Sequence, residues 1–306
     1  MKKLFKVLTV VSLFSIVGLL YGQNYASPEF LDGKEDFEPT VSLTLDWSSK
    51  YIYNGVVRNN QPVMMGDLKL GLQGFYIGAW GAYDLTHFQA RQGFVRDGDR
   101  TRANRDHYKS ERKWRFEEVD YYAGFAYTFD DTGDIGPITL DFSWAYFQYP
   151  GAHKGNSAEW LLSGSLDELY KTDTQTVSAK LTGSYDYELE QTWISLGALY
   201  QLILDNDEMF ELLVNGDIFW GDAEYMRSFG ADGNGFSYVV LGAAVKVNVC
   251  ENFSITPYVG ASYALDGRVR DWTRDAGKGE SAEWGRYHRF NNRQNYWGGI
   301  KANVLF

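Results

Sequence analysis

From Val41 the chain settles into a two-residue alternation that recurs, segment after segment, to its last residue. Residues 41–53 put Val41, Leu43, Leu45, Trp47, Tyr51 and Tyr53 on one face and Ser42, Thr44, Asp46, Ser48 and Lys50 on the other. A period of two is the period of a strand, and one apolar face against one polar face is a strand between two different surroundings. The same pattern predicts strands near residues 68–72, where Leu68, Leu70 and Leu72 oppose Asp67 and Lys69, and 75–83 after a tight turn at Gly74. It predicts further strands at 119–129 (Glu118, Asp120 and Tyr122 on the polar face), 138–146 (Asp141), 177–187 (Lys180), 194–202, 210–220 (Glu211, Asp217), 239–249 (Lys246), 253–265 and 296–306 (Lys301). Residues 158–166 alternate poorly, because Trp160, Leu161 and Leu162 run together. They are nevertheless assigned a strand, since without them the count is odd and short turns fall on both sides of the sheet.

Twelve strands with one apolar face make an all-β fold, a transmembrane antiparallel β-barrel over residues 40–306. The connections support this. Short turns at residues 74, 130–137, 205–208 and 250–252 alternate with connections at 84–116, 150–157, 221–235 and 266–292, and residues 167–173 form a slightly long turn on the short side. Barrels in outer membranes show this asymmetry, with short periplasmic turns and long external loops. With both chain ends periplasmic, Phe129, Phe210, Phe253 and Phe306 fall at one rim and Tyr53, Tyr146, Tyr187, Trp220, Tyr263 and Tyr296 at the other, as two aromatic girdles do.

The first residues change the compartment. Lys2, Lys3 and Lys6 precede an apolar run over residues 7–20, too short for a comfortable membrane helix, with a small residue at Gly22. That is the layout of a cleaved secretory signal over residues 1–22. The acidic, aperiodic residues 23–39 read as a flexible periplasmic lead-in. The formal charge of -11 becomes -14 (-11 - 3) once three lysines leave with the signal, which excludes a general nucleic-acid binder. One cysteine, Cys250, excludes an internal disulfide. The last strand ends on an aromatic residue and places Tyr296, Ile300, Val304 and Phe306 on one face. This resembles the terminal strand by which the barrel-assembly machinery recognises outer-membrane barrels.

The stretch Tyr51-Ile-Tyr-Asn-Gly-Val-Val-Arg-Asn-Asn-Gln-Pro-Val63 resembles the first hairpin of a family of functionally uncharacterised bacterial outer-membrane proteins. That family's turn reads Tyr-x-x-Arg-Gly followed by a proline, and here Asn54 stands where the arginine is usual. Gly74-Phe-Tyr-Ile-Gly-Ala-Trp80 and Tyr146-Phe-Gln-Tyr-Pro-Gly151 are similar to its third and fifth strands. The resemblance implies a barrel and supports the strand at 158–166; it implies no activity.

The polar faces gather Asp46, Lys50, Asp67, Lys69, Glu118, Asp120, Asp141, Lys180, Glu211, Asp217, Lys246 and Lys301. They line either a hydrated, porin-like pore for small polar solutes, with no plug domain, or a narrow interior that the charges close by pairing across it. Nine basic residues, Arg91, Arg96, Arg100, Arg102, Arg105, Lys109, Arg112, Lys113 and Arg115, stand against four acidic ones in a predicted external loop. Guanidinium groups suit phosphate, so the loop is either a surface for lipopolysaccharide or simply solvated. His87, His107, His153 and His288 fall in external connections without a serine motif or ordered carboxylate spacing, so no catalytic residue, metal or cofactor is assigned. An adhesive or structural barrel is the alternative to a pore, and an outer-membrane hydrolase a more distant one.

Overall fold

The computed structural model describes residues 39–85, 116–130, 136–149, 156–205, 207–228, 231–269 and 293–306. The signal, most of the lead-in, the nine basic loop residues and all four histidines lie outside these. Fourteen strands are described: β1 (Thr40–Ser48), β2 (Tyr51–Tyr53), β3 (Val56–Asn59), β4 (Val63–Leu72), β5 (Phe75–Asp84), β6 (Phe116–Phe129) and β7 (Ile138–Gln148). They continue with β8 (Ser157–Lys171), β9 (Gln175–Asp186), β10 (Gln191–Ile203), β11 (Phe210–Gly221), β12 (Gly235–Cys250), β13 (Phe253–Ala264) and β14 (Gln294–Leu305); a one-turn helix α1 (Ala223–Arg227) follows β11.

Twelve of the strands close a barrel. Each is antiparallel to its sequence neighbour, and β1 pairs with both β4 and β14, so Leu45 faces Gly66 on one side and Ala302 on the other. Closure leaves no unpaired edge, which is the condition for crossing lipid with strands. The alternation becomes two surfaces. Trp47, Leu68, Phe75, Phe142, Leu162, Leu196, Leu241, Val259 and Ile300 are exposed on the outside. An apolar belt on this scale is one that lipid solvates. Stacked rings such as Phe142 on Trp160, with centroids 5.2 Å apart, sit in it.

The weakly alternating stretch is a strand. β8 puts Trp160, Leu162 and Leu166 outside and Glu159, Ser163, Ser165 and Asp167 inside, with Leu161 the apolar exception on the inner face. It also runs to Lys171, which shortens the expected long turn to residues 172–174. The described chain ends, near Thr40 and Phe306, lie at one end of the barrel, with the turns at 73–74 and 172–174; the opposite end is the far end.

The first segment departs from expectation. The strand expected over residues 41–53 stops at Ser48. Residues 51–59 form a separate two-stranded sheet, β2 paired with β3, outside the barrel ladder. Lys50 therefore lies beyond the strand, where Ser48 Oγ donates to its carbonyl oxygen (2.7 Å). Tyr53 is not in a girdle but nearly inaccessible in the interior. The hairpin turns at Asn54 and Gly55, with φ of 48° and 84°. Asn-Gly is the sequence that accepts positive φ at both central positions of a tight hairpin turn. Meanwhile Ser48 pairs directly with Val63, so the barrel closes beneath the hairpin without using it.

Candidate functional lumen

Inside the barrel, the same arrangement recurs three times. Tyr122 on β6 faces Gly78 on β5 in register, lies over it, and donates to Asp67 Oδ1 on β4 (2.7 Å). Tyr76 on β5 lies over Gly124 on β6 and donates to Asp141 Oδ1 on β7 (2.8 Å). Tyr258 on β13 lies over Gly299 on β14 and donates to Asp46 Oδ1 on β1 (2.9 Å). A Cβ on Gly78 would stand 2.2 Å from the Tyr122 ring, and one on Gly124 2.3 Å from the Tyr76 hydroxyl. The rings occupy the volume a side chain would take, so they lie along the wall rather than across the lumen. Trp297 lies over Gly260 in the same way.

Lysines complete this band. Lys69 Nζ is 4.2 Å from the centre of the Tyr76 ring and Lys301 Nζ 5.0 Å from that of Tyr258, distances at which a ring face attracts a cation. Lys301 Nζ contacts Asp46 at 3.8 Å. Lys180 lies in electrostatic reach of Asp141, Asp217 and Asp167. Nearer the chain ends, Glu211 takes bonds from Gln201 Nε2 and Asn248 Nδ2 (both 2.6 Å) and pairs with Lys246 Nζ (3.3 Å). A buried carboxylate with several donors is a satisfied one.

The interior is acidic. Among the described residues, Asp46, Asp67, Asp84, Glu118, Asp120, Asp141, Glu159, Asp167, Asp186, Glu211 and Asp217 are on the inner wall, against Lys69, Lys180, Lys246 and Lys301. The excess sits at the far end. Asp84, Glu118, Asp120, Glu159 and Asp186 lie near the far ends of their strands, and among the described residues Arg58, which the hairpin brings in, is a cation within reach of Glu118. Sequence reasoning missed Asp84, Glu159, Asp167, Asp186 and Arg58. The alternation of β5, β8 and β9, carried a few residues further, holds the signal for the four carboxylates.

Several inner polar atoms find no hydrogen-bond partner among the described residues. Asn215, mid-strand on β11, has neither its amide nitrogen nor its oxygen bonded, and Thr256 Oγ1 is in the same position; Lys301 Nζ has its ion pair with Asp46 but no hydrogen bond. Water is the remaining partner for such groups, since leaving them dry costs about 1–3 kcal/mol each.

The far half holds the hairpin. There Ile52, Val56 and Val57 of the hairpin share an apolar cluster with Phe147, Trp193, Phe219, Tyr225, Tyr238 and Val240. Tyr51 Oη donates to Glu118 Oε2 (2.8 Å), Asn54 Nδ2 to Tyr225 Oη (3.4 Å), and Ser262 Oγ to the Gly55 carbonyl oxygen (2.7 Å). The hairpin thus leaves the wall between β1 and β4 and meets β6, α1 and β13.

Solved structures resemble this barrel over nearly their whole length. They include a KdgM porin (TM-score 0.42, 7% identity, 87% of this chain and 99% of that one) and a NanC porin (0.43, 10%, 86% and 98%). Another is the COG4313 outer membrane channel from Pseudomonas putida F1 (0.46, 10%, 92% and 100%). Each is a likeness of fold. No curated protein sequence matches the chain. One family model does, over residues 34–285, and by that match the chain belongs to Gcw_chp, a family described as bacterial proteins of unknown function.

Proposed function

We propose that the protein is an outer-membrane channel for small hydrophilic solutes. The observation that carries this is the charged inner wall: Asp46, Asp141, Glu211 and Asp217 face inward with Lys69, Lys246 and Lys301, and Asn215 and Thr256 Oγ1 there have no hydrogen-bond partner among the described residues. The large rings beside them lie flat in glycine slots instead of filling the lumen. A barrel whose interior served only to be filled would have its side chains meet across the axis, as in eight-stranded barrels. Twelve strands give a wider interior, and here its wall is charged rather than apolar.

The apolar belt supports insertion in lipid, and the export signal expected over residues 1–22 supports the outer membrane. Tyr296, Ile300, Val304 and Phe306, as the terminal strand's outward face, are the proposed handle for the barrel-assembly machinery. The Arg91 to Arg115 loop is the proposed contact for lipopolysaccharide phosphate.

The test is single-channel recording of the refolded mature protein in a planar bilayer. Discrete, reproducible current steps are expected. Silence across the accessible voltage range overturns the reading. It counts only if both the full chain and a chain lacking the hairpin are silent, each shown to be folded by heat-modifiable gel migration.

A further inference from the structure

The motif that stands out in the sequence, residues 51–63, has no place in the barrel ladder, and the wall does not need it for closure. An isolated two-stranded hairpin is marginal in water, so this one owes its fold to what it docks on. Its tip fits one place. The Gly55 Cα faces Tyr238 so closely that a Cβ would stand 2.6 Å from the Tyr238 Cβ and 3.1 Å from Val240 Cγ2. Ser262 Oγ holds the Gly55 carbonyl oxygen beside that contact. At its base Tyr51 is tied to Glu118, and Arg58 stacks on the Tyr53 ring (5.1 Å) within reach of Tyr149 and Glu118.

Docked in this way, the hairpin denies solvent to the wall around it. Phe147, Trp193, Phe219, Tyr238 and Val240 are each 3% exposed or less. No aqueous path runs past side chains that water does not reach. The half of the lumen nearer the chain ends is lined instead by polar groups, Lys69, Gln201, Glu211, Lys246 and Lys301 among them. One barrel therefore has a far half packed around the hairpin and a half beneath it that the hairpin does not enter.

We infer that the β2–β3 hairpin is the channel's gate. The arrangement seen is the closed state, and passage requires the hairpin to leave the Tyr238, Val240 and Ser262 wall. This rests on the channel reading above. Undocking withdraws Arg58 from among Glu118 and its acidic neighbours, so the open far half carries uncompensated carboxylates and favours cations.

The experiment compares the full chain with a variant in which residues 50–61 are replaced by Asn-Gly. Ser48 still pairs with Val63 in that variant, so the barrel ladder is retained. Planar-bilayer recordings in potassium chloride are expected to show brief, infrequent openings from the full chain and long-lived openings of severalfold larger conductance from the variant. The variant's reversal potential in a salt gradient is expected to shift toward cation preference. Ser262→Ala, which leaves the hairpin and its turn intact but removes the hydroxyl that holds the Gly55 carbonyl oxygen, is expected to raise the open fraction in the same direction. Indistinguishable records from the full chain and the folded excision variant overturn the gate and leave the channel standing. Silence from both removes the channel and the gate with it.

Discussion

Three tyrosines reach past a neighbouring strand to a carboxylate, and in each case a glycine makes the reach possible. The consequence is a steric coupling that can be measured. Gly78→Ala puts a methyl where the Tyr122 ring lies, so the ring must leave its slot and release Asp67. Overpacking together with a lost buried hydrogen bond is expected to cost about 2–4 kcal/mol. In a Tyr122→Ala background the slot is empty, and the same Gly78→Ala change is expected to be nearly neutral. Gly183→Ala serves as the control, because a Cβ there meets nothing within 4 Å. Urea unfolding followed by tryptophan fluorescence reads all four variants. Equal losses for Gly78→Ala with and without Tyr122 would show that backbone freedom, not the ring, is what that glycine provides. A second residue-scale test is Lys246→Met. It leaves Glu211 with its amide donors but without its cation, and is expected to destabilise the barrel by about 3 kcal/mol in the same assay.

At the scale of elements, alternation located the barrel strands because one face met lipid and the other water, and only a period-two chain satisfies both. The same physics explains where the reading failed. Tyr51 and Tyr53 continue the spacing of Val41 to Trp47, yet they belong to another sheet. Local period carries no information about which sheet a segment joins, and Lys50 was misplaced with them. β8 was hard to read for the opposite reason: Leu161 is apolar but faces an interior that the hairpin makes apolar at that height. The slot glycines were also illegible, because the pairing of Gly78 with Tyr122 is a fact of register between two strands 44 residues apart in sequence. The last strand is a cleaner case. Phe306 closes the seam by bonds in both directions with Val41 (2.8 and 3.3 Å), made by its backbone rather than its ring. Phe306→Ala is accordingly expected to leave refolding in detergent unchanged and to lower the yield of folded barrel in cells, measured by heat-modifiable migration of membrane fractions. A parallel loss in both settings would make the ring a stability element and not an assembly handle.

For the whole molecule, what matters is how charge is distributed along the axis. The band around Tyr76, Tyr122 and Tyr258 is nearly balanced, since Asp46, Asp67 and Asp141 stand beside Lys69, Lys180 and Lys301. The far end is not: among the described residues Asp84, Glu118, Asp120, Glu159 and Asp186 stand on the inner wall there, and the arginine near them, Arg58, is on the hairpin. Low-dielectric walls focus the field of such an excess into the pore, so its sign should decide which ions pass. Cation preference is therefore expected of any open state, measured as a reversal potential in a potassium chloride gradient. It should fall when Glu118 and Glu159 are replaced by glutamine, and change little when Asp67 and Lys69 are neutralised together. Both carboxylate changes remove charge without removing volume, so the conductance of the hairpin-excised channel should hold nearly constant while its selectivity moves. Should the reversal potential instead follow the Asp67 and Lys69 pair, the filter lies in the tyrosine band, and the far-end carboxylates serve to hold the hairpin rather than to choose the solute.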